Sequence, residues 1–190
     1  QKACHQLALW SRQSATASLS LSVNLSARLI YQPNFVERVF QTLERSGAAP
    51  HRLKLELTET LLLDDLPGAI ARICELKAHG IRFSIDDFGT GYSSLAYLQQ
   101  LSLDQLKIDQ SFVRELPGDT NSIAIISAIC ALASSLQLEV IAEGVETHEQ
   151  YIALLELGCR SFQGYLFGRP MPLIEFERLI PTSIVNHTYN

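Results

Sequence analysis

Seven polar residues close six short apolar runs in this 190-residue chain: Asn24 in SVNLS, Glu56 in KLELTE, Asp86 and Asp87 in FSIDDFG, Lys107 in LKID, Glu143 in VIAEGVE and Gln163 in SFQG. Four are carboxylates and two are amides, all hard oxygen donors, and no His or Cys stands among them. Such a set suits Mg²⁺ or Mn²⁺ rather than zinc or copper. Carboxylates gathered closely raise one another's pKa and call for cations between them, which two divalent ions would provide. The adjacent pair Asp86 and Asp87 fits that arrangement. One carboxylate would bridge both ions and its neighbour hold the second, with the attacking and leaving oxygens of a phosphodiester clamped in line. Lys107 would then orient the attacking water or stabilise charge on the phosphoryl oxygens.

Taken singly, each residue has an ordinary reading: Asn24 as a turn residue, Asp86 and Asp87 as caps of the following turn, Lys107 as a solvated charge at a strand end. Their recurrence in six apolar settings argues for one shared site.

The elements that must position them follow from periodicity. Short β-rich runs alternate with longer helical segments, and no Pro-rich or Gly/Ser-rich linker interrupts them. Strands are expected over 18–24, 52–58, 81–86, 104–109, 139–142 and 159–163, and helices over 1–13, 34–46, 67–79, 93–100, 121–136, 147–157 and 173–179. Strands that alternate with helices point to a parallel sheet with helical crossovers, which leaves a doubly wound sheet and a (β/α)8 barrel open. A barrel needs eight strands and typically about 250 residues, so six units here would be a barrel lacking its first two strands. The placement of the polar residues favours the barrel, because its strand ends share one rim, whereas an open sheet gathers a ligand at a single switch point. Successive strand residues face opposite sides, so Asp87 is expected where the strand already turns, with Phe88, Gly89, Thr90 and Gly91 forming that turn.

Fifteen basic residues against 20 acidic ones, a net charge of -5, argue against a nucleic-acid polymer as partner. The longest apolar stretch, 123–136, contains Ser127, Ser134 and Ser135. It falls short of the roughly 20 residues of a membrane span and reads as a buried helix. Cys4, Cys74, Cys130 and Cys159 form no C-x-x-C pair and are expected to be buried free thiols in a reducing cytoplasm. His5, His51, His79, His148 and His187 show no ligand spacing and read as surface residues. The chain opens on Gln1 with no leader pattern, so it is expected to be an excerpt of a longer polypeptide.

The motifs VNLSA, ELTET, DDFGTGYSSL, KID, AEGVET and QGYLFGRP, in this order from Val23 to Pro170, resemble those of the EAL domain family, bacterial phosphodiesterases of cyclic di-GMP. The resemblance implies an α/β fold, a (β/α)8 TIM-like barrel with one antiparallel strand, whose first strands would be missing from this chain. It implies hydrolysis of cyclic di-GMP to linear pGpG with two Mg²⁺ or Mn²⁺ ions. Carried over by motif, Asn24, Glu56, Asp86, Asp87 and Glu143 would be metal ligands, with Asp86 the bridge. Lys107, Glu143 and Asp86 would carry catalysis, and Gln163, Glu59 and Glu146 would support the site or bind substrate. Glu59 would brace the loop from Phe88 to Ser94, through which the family dimerises. Fusion to a GGDEF or sensor domain, and a cytoplasmic location for the domain, are expected on the same ground.

One departure matters. No Glu-Ala-Leu tripeptide occurs in the chain, and the family takes a metal-binding Glu from it. Residues 1–181 are therefore expected to be a partial EAL domain, inactive alone, with 182–190 a C-terminal tail. A catalytically silent receptor or dimerisation module is the alternative.

Overall fold

The computed structural model describes residues 1–58, 65–89 and 95–180. Glu59, Thr90, Gly91, Ser94, His187 and the tail over 182–190 lie outside the described residues.

Helix α1 (Lys2–Trp10) leads into strand β1 (Leu21–Leu25), followed by α2 (Ala27–Ile30) and α3 (Phe35–Ser46). Then come β2 (Leu53–Thr58), α4 (Leu66–Ala78), β3 (Arg82–Phe88), α5 (Leu95–Gln100), β4 (Gln105–Ile108), α6 (Gln110–Arg114), α7 (Thr120–Ser135), β5 (Glu139–Ala142), α8 (His148–Glu156), β6 (Ser161–Phe162) and α9 (Leu173–Leu179). The six strands are parallel and lie in the order β1-β2-β3-β4-β5-β6, so every crossover advances the sheet in the same direction. A doubly wound sheet reverses its order at a switch point. This one never reverses, and it is the arc of a singly wound TIM-like barrel that six strands leave partial.

Alternation along β2 explains how the arc divides inside from outside. Leu53, Leu55 and Leu57 are buried toward the helices, while Lys54 and Glu56 face the other way and are half-buried. The outer faces of β3 and β4 add Phe83, Ile85, Leu106 and Ile108, which pack with Ile73 and Leu76 of α4 and Ile126 of α7 in one apolar cluster. Local signals set the helix starts. Asp65 accepts from the Gly68 amide ahead of α4, Asp119 from the Ser122 amide ahead of α7, and Thr147 and Gln150 form a capping box on α8.

The inner face is polar in layers. At the amino ends of the strands, Lys54 Nζ donates to Gln105 Oε1 at 2.9 Å, Gln105 Nε2 donates to Glu139 Oε2 at 3.3 Å, and Arg82 pairs with Glu139 at 2.9 Å. Above them sits Ser84, fully buried, whose hydroxyl has no hydrogen-bond partner among the described residues. An unpaired buried hydroxyl costs more than its absence. Ser84→Ala is therefore expected to raise stability by about 1 kcal/mol, read as a higher urea midpoint; a lower midpoint would show that the hydroxyl is satisfied.

The two ends of the arc meet through helices. Trp10 Nε1 and Gln6 Nε2 both donate to Glu177 Oε1, at 2.7 and 3.0 Å, which ties α1 to α9. Beside β6, an apolar groove is lined by Leu19, Leu21, Phe162, Phe167 and Leu179, of which Phe167 and Leu179 are more than half exposed.

Several expectations are corrected in detail. Helix α7 is not buried all round: Ser122, Ile126, Ile129 and Ala133 form its buried face, while Ile125 is exposed because the opposite side meets solvent. Cys4 and Cys159 are buried free thiols as expected, but Cys130 is half-buried and Cys74 is exposed on the outer side of α4. His5, His51, His79 and His148 are all exposed. No helix among the described residues is long and apolar enough to cross a membrane.

Candidate active site

The carboxyl ends of β2, β3, β4 and β5 converge on Lys107. Its ammonium lies 2.8 Å from Glu56 Oε2, 2.8 Å from Asp86 Oδ1 and 2.7 Å from Glu143 Oε1. Lys107 is only 4% exposed, and burial by itself works to lower its pKa. Hydrogen bonds to Asp86, Glu143 and Glu56 outweigh that burial and hold the ammonium charged well above the ordinary lysine range. Burial moves Glu143 the other way, raising its pKa, and the pairing with Lys107 only partly offsets this.

Parallel register accounts for the convergence. Glu56 is paired with Ser84 and Thr58 with Asp86 across β2 and β3, so Glu56 and Asp86 share the inner face one step apart. Asn24 is the register partner of Glu56 on β1, and paired residues of neighbouring strands face the same way. It is exposed.

The Asp86–Asp87 pair owes its geometry to a bulge, where the sequence suggests a turn starting at Phe88; of that expected turn, Thr90 and Gly91 lie outside the described residues. Ile85 pairs with Leu106 and Phe88 with Ile108, so two residues of β3 oppose Lys107 alone. The extra residue is Asp87, in the left-handed region at φ 55°, and Phe88 is still in the strand and buried. The strand thus reverses its facing between two aspartates and resumes, so both carboxylates reach one side. Asp86 Oδ1 accepts the Asp87 amide at 3.2 Å, which steadies the bulge. Oxygens of Asp86, Asp87 and Glu143 all lie within 4.8 Å of one another, a spacing that could hold a metal ion. Burial, then the neighbouring charges of Asp86 and Asp109, raises the pKa of Asp87.

Asp109 lies beside the site, and the sequence assigns it no role of its own. Its carboxylate hydrogen-bonds with Asp87 and caps α6 through the amide and hydroxyl of Ser111. Burial works to raise its pKa, and the Ser111 bonds hold it below the usual range. The visible signal was Asp109-Gln110-Ser111 directly after a strand, a pattern that reads as a helix cap.

Glu143 is held by close backbone packing. Its amide donates to the Ile108 carbonyl at 3.1 Å, and Gly144 follows at φ 70°, where a Cβ would stand 2.6 Å from Gln110 Cβ. Gln163 directly follows β6; its amide donates to Ala142 and its carbonyl accepts from Val145, on either side of Glu143, while its side chain is exposed. Glu146 is exposed, and its amide donates to Gln150 at 2.8 Å.

The sequence profile of the EAL domain matches residues 1–170. The chain belongs to the EAL domain family. Among the relatives of this EAL chain, the bifunctional diguanylate cyclase/cyclic di-GMP phosphodiesterase MucR of Pseudomonas aeruginosa is 45% identical over 171 residues, which cover 90% of the chain and 25% of MucR. The chain spans about a quarter or less of the length of the curated relatives it matches first. Among solved structures, the PaMucR phosphodiesterase in complex with c-di-GMP superposes with a TM-score of 0.87 at 44% identity, covering 92% of this chain and 70% of that one. Klebsiella pneumoniae BlrP1 in a manganese/cy-diGMP complex gives 0.75 at 31% identity, covering 87% and 45%. These neighbours are EAL domains, and the partial barrel of this chain is theirs.

Proposed function

We propose that the carboxylate rim is most of a two-metal site that hydrolyses cyclic di-GMP to linear pGpG, working with Mg²⁺ or Mn²⁺. The observation that carries this reading is the cage of Glu56, Asp86 and Glu143 around the Lys107 ammonium, with Asp87 brought alongside by the bulge. The residues fit such ions: every donor is a carboxylate or amide oxygen, and three of the carboxylates already hold a cation.

Asp86, Asp87 and Glu143 would hold one ion, and Asn24 and Glu56 with Asp86 the other. Bound there, the ions supply Lewis acidity toward the phosphoryl oxygens and a water ionised near neutral pH. The chain's own groups do the rest. Lys107, buried and charged, stabilises the negative charge that builds on the phosphoryl oxygens. Glu143, beside Lys107 in the rim, would accept the proton that the attacking water releases. Attack of water oxygen on phosphorus breaks one P–O3′ bond, the 3′ oxygen takes up a proton, and the phosphate remains on the 5′ oxygen of pGpG.

The family's tripeptide Glu is absent from the 190 residues, so the chain alone is proposed to be inactive and a longer polypeptide that supplies this Glu to be active. The same absence favours the second reading, a silent receptor of cyclic di-GMP. A cytoplasmic location, dimerisation through the loop from Phe88 to Ser94 and linkage to a GGDEF or sensor domain are part of the proposal. Chromatography of nucleotides after incubation with Mn²⁺ decides between the readings. Stoichiometric pGpG from the longer polypeptide supports the enzyme, whereas tight binding with intact cyclic di-GMP recovered supports the receptor.

A further inference from the structure

Lys107 spends all three of its N–H donors on carboxylates: Glu56, Asp86 and Glu143, each within 2.8 Å. While those bonds stand, the ammonium has no donor left for a water or a phosphoryl oxygen. It acts as a point cation at the centre of the rim, where a divalent ion would need the same oxygens.

The carboxylates are not equally placed around it. Asp86, Asp87 and Glu143 bring oxygens within 4.8 Å of one another, a grouping that Glu56 does not join. Glu56 is in register with Asn24 and accepts from Lys107 at 2.8 Å. The rim therefore has two halves, and the lysine bridges them.

We propose that Lys107 is a determinant of metal affinity: a resident counter-cation that must release Glu56 before the Asn24–Glu56 half can take a divalent ion. The proposal rests on the metal-dependent reading given above. Its consequence is that ions bind in two steps of unequal strength. The stronger step draws on three carboxylates, Asp86, Asp87 and Glu143, two of them shared with Lys107, whereas the weaker step has Glu56 beside Asn24 and requires the buried Lys107–Glu56 pair to open. Release also returns an N–H donor to Lys107, so the residue becomes able to meet substrate only as the second half fills. One side chain thereby couples loading of the site to readiness for the reaction.

The test is a titration of the 190-residue chain with Mn²⁺, followed by calorimetry and by the electron paramagnetic resonance signal of free Mn²⁺. The native chain is compared with Lys107→Met, which removes the charge and keeps the stem, Lys107→Arg, which keeps the charge, and Glu56→Gln. The native chain is expected to show two unequal steps. In Lys107→Met both steps tighten, the weaker by about ten-fold or more and by more than the stronger. Lys107→Arg keeps the native inequality, and Glu56→Gln keeps the stronger step alone. A weaker step that is unchanged or weaker still in Lys107→Met, with a native circular-dichroism spectrum, overturns the proposal. If Lys107→Met does not fold, Glu56→Gln decides: loss of both steps, or of neither, overturns it. Failure of the native chain to bind any Mn²⁺ would count instead against the metal-dependent reading itself.

Discussion

Asp86→Asn is expected to lower the turnover of cyclic di-GMP by about 10³-fold or more in a polypeptide that carries the complete ligand set, with the fold intact. Asp86 Oδ1 accepts from Lys107 Nζ at 2.8 Å and from the Asp87 amide at 3.2 Å. The amide oxygen of Asn can keep both bonds, so the substitution removes the charge and little of the geometry. The remaining charge on Lys107 is still met by Glu56 and Glu143. Loss of rate without loss of structure is what separates a ligand that bridges two ions from a carboxylate that only steadies the lysine. The check is a kcat measurement beside a circular-dichroism melt. Activity within ten-fold of native would remove Asp86 from the reaction.

Gly164→Ala carries the largest expected effect on stability. A Cβ at this position would lie 2.1 Å from the Val145 carbonyl oxygen and 2.3 Å from its nitrogen, and backbone cannot step aside as a flexible side chain can. The strand end must separate from the turn after Glu143, breaking the bonds of the Val145 amide to Gln163 and of the Leu166 amide to Val145, both 3.0 Å. Overpacking together with two lost hydrogen bonds is expected to cost about 3 kcal/mol or more, read as a shifted urea midpoint. Because Val145 lies two residues beyond Glu143, the same change should also displace Glu143 from Lys107. An unchanged midpoint would mean that the approach of Gly164 to Val145 is looser than described.

What the sequence made legible follows from the kinds of signal each feature leaves. Strand ends leave a plain one: alternation along KLELT and a polar residue closing each apolar run placed Glu56, Asp86, Lys107 and Glu143 correctly on one rim. The singly wound order came from that rim and not from counting elements, because alternating strands and helices fit a doubly wound sheet equally well. The bulge was not legible. Nothing in IDDFG says that Phe88 resumes the strand, so the sequence alone places the change of facing in a turn from Phe88 rather than in a bulge at Asp87. Short helices α2 and α6, of four and five residues, carry too little periodicity to be read. Partnerships across the barrel interior leave no local trace either. Lys107 and Glu56 are 51 residues apart, as are Lys54 and Gln105. Only the fold shows that the first pair belongs to the site and the second to the layer beneath it.

The rim is proposed to be a divalent-ion site for cyclic di-GMP. The direct measurement is the initial rate of cyclic di-GMP loss by the longer polypeptide, as Mn²⁺ or Mg²⁺ is removed with chelator and then restored. The rate is expected to fall to background on removal and to return on addition of either ion, with pGpG as the product. A rate indifferent to the chelator, or no hydrolysis when both ion and cyclic di-GMP are bound, would contradict this proposal.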